Sequence, residues 1–517
     1  MGDNANSNSE PKKWIRKRLQ QSVLLHRRGE SDTALTGYLD ILAIDPEHAD
    51  ANHLAGLALL ARKQPSDLKR SLDYLQKAVC IDDGQSTFHN DLGNVYWNLG
   101  RIVDAAAAFS KAIELDSSFV QPRFNLGNCY WMQGEFGCAR QAYADALNVN
   151  EDWAQARYML ANCEYTLGNT KHAIAIFRDV IAKRPELTDA RLGLAYALLR
   201  DGQWLEGWSH FENRLTYPEF AAYRALDCPQ WDGRDIHGKT LLVCAEQGIG
   251  DTLHFLRYLP WVKLKVGRLV LACDRGLHKL LVHRAEVDEL IELKSVTERW
   301  SYENFDYRIS LMSLPGLFET TTSNLPHKSP YLEVDKRQID AWRRRLDPKK
   351  LNIGLAWAGN PSQKEDQFRS CALEALLPLM RISHIRWYSL QVGPGRQQIN
   401  ETDCVELVDL ADELENFADT AALISALDLV VSVDTAAAHL AGALGKPVWA
   451  MLWHSHCWRY LENRSDSPWY PTMRLFRQRR IGDWESVVAQ IETALAQFQE
   501  QGILGRNQIS SRRMRTI

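Results

Sequence analysis

Small and large apolar positions recur along the first two hundred residues at one long period. Gly100, Gly134, Gly168 and Gly202 fall thirty-four residues apart. The same register holds Leu92, Leu126, Leu160 and Leu194, then Gly93, Gly127, Ala161 and Ala195. It also holds Ala105, Ala139 and Ala173, and the aromatics Phe109, Tyr143, Phe177 and Phe211. This alternation predicts two antiparallel helices per unit, with small residues at close helix contacts, aromatics wedged beside them and glycine at the turn ending each first helix. Gly29, Ala34, Tyr38 and Pro46 extend the pattern back by one unit. Gly56, Tyr74 and Ala78 give another, carrying about three extra residues near Lys63–Lys69, and Pro185 closes a later one. The reading is six units over 15–220: 15–48, 49–85, 86–119, 120–153, 154–187 and a degenerate 188–220.

A period of this length resembles the tetratricopeptide repeat. Stacked helix pairs of that kind form a superhelix whose concave face is lined by the first helix of each unit. Two columns there stand out: Asn94, Asn128 and Asn162, and beside them Trp97, Trp131 and Tyr165. An amide ladder can hydrogen-bond an extended peptide backbone while flat aromatics grip its side chains, so these six residues are the candidate groove for a protein partner. The alternative is that asparagine is simply common at this position of the repeat, and that the array is structural.

Near Asp227-Cys-Pro-Gln-Trp-Asp-Gly-Arg234 the helical register stops, which predicts a linker over 221–236. Beyond it, short apolar runs alternate with helical stretches: Thr240–Cys244, Leu269–Cys273, Tyr307–Leu311, Ile353–Ala356, Trp387–Leu390, Leu429–Val433 and Val448–Leu452. Alternation of this kind implies parallel sheets covered by helices. A Pro-rich, charged stretch over 326–350 divides them into two lobes, 237–335 and 336–500, with a cleft at the carboxyl ends of the strands. The expected fold is therefore an α-solenoid followed by a two-lobed α/β region. A last helix should open at Asp483-Trp484 and run to about Gln499, leaving 1–14 and a basic tail, 501–517, disordered.

Composition narrows the function classes. Of 517 residues, 45% are hydrophobic and 24% charged, an ordinary globular balance, and the net charge of −4 supplies no basic field for nucleic acid. Nowhere do eighteen apolar residues run together, so no membrane span is expected, and the polar, then basic start lacks the apolar core of a secretory signal. The ten cysteines include no Cys-x-x-Cys pair, which points to reduced thiols in a cytoplasmic protein rather than a zinc ribbon.

Two strand-to-helix turns carry the candidate chemistry. In the first, Leu241–Ala245 runs through Glu246-Gln247 into Gly248-Ile-Gly250 and a helix opening at Asp251. The glycines permit close backbone approach; Asp251 is either a helix cap or a carboxylate aimed into the cleft. The third glycine of a dinucleotide fingerprint is missing. In the second, Asp428–Val433 is a buried strand that turns at Asp434-Thr435 into a helix of small residues. The amides of Thr435, Ala436 and Ala437 offer a seat for a diphosphate, and His439 is either a further phosphate donor or a packing histidine.

These segments resemble the heptosyltransferase-type glycosyltransferases (family 9-like) of GT-B fold. The likeness lies in Gly248-Ile-Gly-Asp251 with Pro260, and in Asp434-Thr-Ala-Ala-Ala-His439-Leu-Ala with Gly445-Lys-Pro447. Gly354-Leu-Ala-Trp357-Ala-Gly-Asn360-Pro361, Arg369-Ser370 and Asp466-Ser-Pro-Trp-Tyr-Pro471 further resemble bacterial proteins that fuse tetratricopeptide repeats to such a domain. The resemblance implies that Asp251 is the general base. It implies a nucleotide-sugar site of Gly248, Gly250, Asn360, Arg369, Asp434, Thr435, Ala436, Ala437 and His439, with Arg369 where the family commonly has a lysine. It also implies that the final helix returns to the first lobe. Ala436 replaces the usual glycine, and the first lobe is short. No Asp-x-Asp occurs, so no metal is called for and the nucleotide-sugar is a co-substrate rather than a cofactor.

The function expected is transfer of a sugar from a nucleotide-sugar to a hydroxyl of a protein held by the repeats, that is, protein O-glycosylation by an inverting enzyme, with flagellin one candidate acceptor. The alternatives are a glycan or lipopolysaccharide glycosyltransferase, and a repeat scaffold whose transferase domain has lost activity. Lys364, His454 and His456 are read as surface bystanders; Trp453, Trp458 and Trp469 either stack on a ligand or pack in the core.

Overall fold

The computed structural model describes residues 10–293, 305–326, 329–363, 365–402 and 406–513, with side chains as far as 498. By compactness the chain divides between Leu167 and Gly168. The first unit holds α1 (Glu10–Arg27), α2 (Ser31–Ile44), α3 (Ala49–Ala61), α4 (Pro65–Ile81), α5 (Ser86–Asn98), α6 (Ile102–Leu115), α7 (Val120–Met132), α8 (Phe136–Val149) and α9 (Ala154–Thr166). Residues 10–14, expected to lie outside the array, are thus helical. The small-against-aromatic rule holds at atomic distance: a Cβ on Gly93 would meet Phe109 at 2.6 Å and one on Gly127 would meet Tyr143 at 2.6 Å. Phe109 also packs with Cys129 of the next pair, so each ring serves two interfaces. The turn glycines Gly100 and Gly134 have φ of 73° and 78°, the left-handed conformation that closes a helix. In the unit with the insertion, Lys63 takes that role at φ 53°, and α4 is lengthened to 17 residues against 14 in α6.

The second unit opens with three more helices, α10 (Thr170–Lys183), α11 (Thr188–Asp201) and α12 (Trp204–Phe211). The repeat pattern therefore continues past the break in compactness, and the separation does not fall at 221–236. The reason is visible in packing: Trp204, Trp208 and Phe211 lie at most 2% exposed in a core shared with both lobes of the α/β region.

That region contains two wholly parallel sheets. The first comprises β1 (Ile236–Cys244), β2 (Val266–Cys273), β3 (Glu289–Glu292) and β4 (Tyr307–Ser310) in the order β3-β2-β1-β4. The second comprises β5 (Leu351–Ala356), β6 (Ile385–Ser389), β7 (Leu407–Asp409), β8 (Leu429–Val433), β9 (Val448–Leu452) and β10 (Met473–Arg477) in the order β10-β9-β8-β5-β6-β7. The latter is the doubly wound order, with a switch point between β5 and β8. All seven apolar runs became strands. The three strands missed from the sequence, β3, β7 and β10, all stand at the ends of their sheets, where the apolar demand is weaker.

One face of the second sheet packs Ile353, Leu355, Trp387 and Val431 against Val487, Ile491 and Leu495 of the last helix, Trp484–Arg513. The expected return of that helix to the first lobe is thereby corrected: its buried stripe matches this sheet, and its described contacts lie in the second lobe. It also runs beyond Gln499, into the segment expected to be disordered.

Candidate active site

The first turn leaves β1 through Glu246 and Gln247. Gln247 has φ 59°, a left-handed conformation that costs a residue bearing a Cβ about 1–3 kcal/mol. It aims the chain into the helix Ile249–Phe255, in which Asp251 occupies the third position. The carboxylate caps the helix and also joins an ion pair. Its Oδ2 accepts the Gly248 N–H at 3.0 Å, capping the helix, and its Oδ1 accepts from the Arg459 guanidinium of the other lobe.

The second turn leaves β8 through Asp434 and Thr435 into the helix Ala436–Ala443. Thr435 has the extended backbone of a cap, yet its hydroxyl lies 2.9 Å from Ser432 Oγ and makes no cap bond. The Ala438 N–H is bonded to the Thr435 carbonyl at 3.1 Å, and the N–H groups of Ala436 and Ala437 before it have no side-chain cap. Asp434 accepts from the Tyr460 hydroxyl at 2.5 Å and lies 3.5 Å from His439 Nε2. Burial pushes its carboxyl up, but the His439 hydrogen bond, the Tyr460 hydroxyl and the nearby Arg459 charge outweigh that and bring it down to about 2. His439 Nδ1 lies 3.0 Å from the Tyr470 hydroxyl, which is equally close to His254 Nδ1. Both ring nitrogens of His439 thus face protein groups, the arrangement of the packing reading.

The two turns meet. A Cβ on Gly250 would lie 3.0 Å from His439 Cδ2, 3.5 Å from Ala436 Cα and 3.6 Å from Ala436 N. Sequence reasoning assigned this glycine to close approach by a ligand; what approaches it is the amide turn of the second lobe. Gly248 faces Asp251, whose Oδ2 would lie 3.2 Å from an added Cβ.

Across the switch point, the loop after β5 carries the other candidates. Arg369 donates through Nε to Asp366 at 3.0 Å, and its Nη2 would stand 2.6 Å from a Cβ on Gly359. The guanidinium therefore lies beside Gly359, in the loop that follows β5. Asn360 is exposed, and its side-chain oxygen accepts from Ser362 N at 3.0 Å, shaping the loop itself. Gln391, passed over in the sequence, fixes that loop by accepting from Trp357 N at 3.0 Å and Ala358 N at 2.9 Å.

Other expectations are altered by burial. Trp458 and Trp469 are core residues at 3% and 1% exposure, Trp469 stacking on Trp204 at 5.0 Å; Trp453 stays half-buried, stacked on Phe368 at 5.7 Å. His456 is buried rather than surface, which pushes its imidazole down to about 3, with Arg200 and Arg477 adding to the shift. His454 is half-buried, and Lys364 lies outside the described residues. The missed group with most partners is Arg214. Its guanidinium donates to Glu246 at 2.7 Å, Glu212 at 2.7 Å, Ser313 at 2.9 Å and Ser310 at 3.1 Å. Burial opposes its charge, but Glu246 and Glu212 prevail and hold it protonated. A lone arginine in a degenerate repeat gives no sequence signal of this.

In the first unit, the two candidate columns are half-buried and partly engaged. Asn94 accepts from Asn125 at 3.2 Å, and Asn128 accepts the Tyr143 hydroxyl at 2.7 Å. Trp97 packs against the Ala105–Phe109–Cys129 cluster and Trp131 against Ala139, Tyr143 and Cys163, so both are inter-helix wedges as well as surface. Asn162 and Tyr165 are half-buried in α9. Beside the columns, His53 Nε2 lies 2.8 Å from Asp91, a polar pair the period did not reveal.

Among the described residues no helix is long and apolar enough to cross a membrane, and the nine described cysteines are unpaired. Residues 90–156, 136–187 and 158–206 match the tetratricopeptide repeat family, and residues 396–456 match glycosyltransferase family 9 (heptosyltransferase). Protein FlbA of Caulobacter vibrioides is 28% identical over 341 residues, covering 60% of this chain and 56% of FlbA, so the chain spans about half the length of that relative. Among solved structures, MamA is 19% identical with a TM-score of 0.31, covering 33% of this chain and 92% of MamA. Pseudomonas aeruginosa PilF is 17% identical with a TM-score of 0.36, covering 42% of this chain and 98% of PilF. Two modules are thus joined in one chain: tetratricopeptide repeats, followed by an α/β region carrying a glycosyltransferase family 9 (heptosyltransferase) segment.

Proposed function

We propose that this chain is a glycosyltransferase of GT-B type that moves a sugar from a nucleotide-sugar to a hydroxyl of a protein acceptor recruited by its repeats. The observation that carries the reading is the contact of the two turns at Gly250, with Asp251 on one side and the Thr435–Ala437 amides on the other. Sugar transfer needs a base for the incoming hydroxyl and positive electrostatics for the departing diphosphate. In this reading Asp251 takes the acceptor proton as its oxygen attacks the anomeric carbon from the face opposite the diphosphate, inverting that centre. The first-turn amides and Arg369 meet the charge on the leaving group, with no metal called upon. The repeats favour a protein over a soluble glycan, and flagellin is one acceptor to test.

The test is donor turnover by the full chain, with intact-mass spectrometry of proteins gaining a sugar-sized adduct. Asp251→Ala should lower turnover by roughly 10²- to 10⁴-fold, the contribution of a positioned base. Equal turnover in both proteins removes Asp251 from catalysis. One observation favours a second reading, a repeat scaffold that binds without transferring: both Asp251 oxygens already have protein partners. Absence of turnover with every nucleotide-sugar offered, alongside retained nucleotide binding, selects it.

A further inference from the structure

Resting on the glycosyltransferase reading, we infer that Arg459 is a shared cation: it locks Asp251 while the donor site is empty and passes to the donor's diphosphate on binding, which releases the carboxylate.

Arg459 and Tyr460 are neighbours in the short turn Trp458–Tyr460 that follows β9. They reach the two candidate turns separately. Arg459 Nη2 donates to Asp251 Oδ1 in the first lobe, and the Tyr460 hydroxyl donates to Asp434 in the second. This loop therefore staples the turns, and its guanidinium sits one residue from Gly250, the point where the amide turn makes contact.

Arg459 is buried and only partly satisfied. Its residue is 7% exposed, yet its Nε has no hydrogen-bond partner among the described residues. Its Nη1 meets only the Cys457 sulfur, at 3.0 Å, a weak acceptor. The planar group is held over the Trp458 ring at 4.4 Å and the Phe255 ring at 5.4 Å. A buried guanidinium with one good acceptor keeps most of its fork unspent, and the fork matches phosphate oxygens bidentately. Charge bookkeeping points the same way. Asp251 and Asp434 both stand near this one guanidinium, so a diphosphate entering the amide turn meets two carboxylates unless the guanidinium turns toward it.

A static ion pair and a shared cation predict opposite signs in one experiment. Binding of inorganic pyrophosphate, UDP, GDP, CDP and ADP to the full chain is measured by calorimetry, with thermal melts to establish folding. If Arg459 is shared, Asp251→Asn frees it and tightens binding by about tenfold, the effect of roughly one charge pair. Arg459→Gln weakens binding by about tenfold or more, Arg459→Lys recovers part of the loss, and the double variant matches Arg459→Gln. Unchanged or weaker binding in Asp251→Asn overturns the inference, as does unchanged binding in Arg459→Gln. Should Arg459→Gln fail to fold, the sign of the Asp251→Asn and Asp251→Ser effects decides alone. If the wild-type chain binds neither pyrophosphate nor any of the nucleotides, the donor-site reading itself fails, and this inference with it.

Discussion

The two parallel sheets begin alike and end differently. Each sets its first four strands in the spatial order third, second, first, fourth, which opens a crevice between first and fourth at the strands' carboxyl ends. In the first sheet that crevice is filled. Glu246 beyond β1 and Ser310 and Ser313 at β4 converge on Arg214, delivered by the turn that follows the last repeat helix. In the second sheet, Thr435–Ala437 follow β8 at the same position, and two further strands extend the sheet beyond it. One crevice is closed by a buried ion pair, and in the proposed function the other takes a ligand. A single topology thus seats the turn after α12 at one switch point and, in the proposed function, a donor at the other.

Three substitutions can break or sharpen that contrast. The largest effect belongs to the joint. Arg214→Ala leaves Glu246 buried with its cation removed and should destabilise the Gly168–Ile517 unit by about 3–5 kcal/mol, read as a lowered chemical-denaturation midpoint. A loss below about 1 kcal/mol would mean that the first crevice is not closed by this pair. Next comes Asp434, whose carboxyl is held at about 2 against an ordinary 3.8. Its ionised form contributes roughly 2 kcal/mol that is fully present above pH 3.8 and lost as pH falls through about 2. Acid unfolding followed between those values should therefore be shallower in Asp434→Asn than in the wild type. The smallest effect on stability belongs to the second crevice. Arg369→Gln keeps a donor for Asp366 and should change unfolding by less than about 1 kcal/mol, while raising the donor KM about tenfold. If it unfolds the chain as Arg214→Ala does, the two crevices are not different in kind.

Much of this was legible in the sequence because it is local. The thirty-four-residue period fixed the helix pairs, and Gly100 and Gly134 take the positive φ that their turns require. The largely apolar runs at β8 and β9 gave those strands residue for residue, since both are central and buried throughout. The edge strands escaped because Glu289–Glu292 and Leu407–Asp409 bury little. Asp251 and Asp434 were legible as candidates because each sits beside a strand-to-helix turn. Their partners Arg459 and Tyr460 were not, lying 208 and 26 residues away respectively.

What the amino-acid order by itself determined is the helix pairs of the repeats, each central strand and the two strand-to-helix turns, all set by periodicity and by residues within one turn of each other. What only the tertiary structure decided is charge pairing: that Arg214 closes one crevice, that Arg459 holds Asp251, and that His439 faces Asp434 and Tyr470. The physical reason is range. Backbone conformation follows near neighbours, whereas a buried ion's energy depends on whichever distant side chain folding brings within hydrogen-bond reach, and no local pattern encodes that partner.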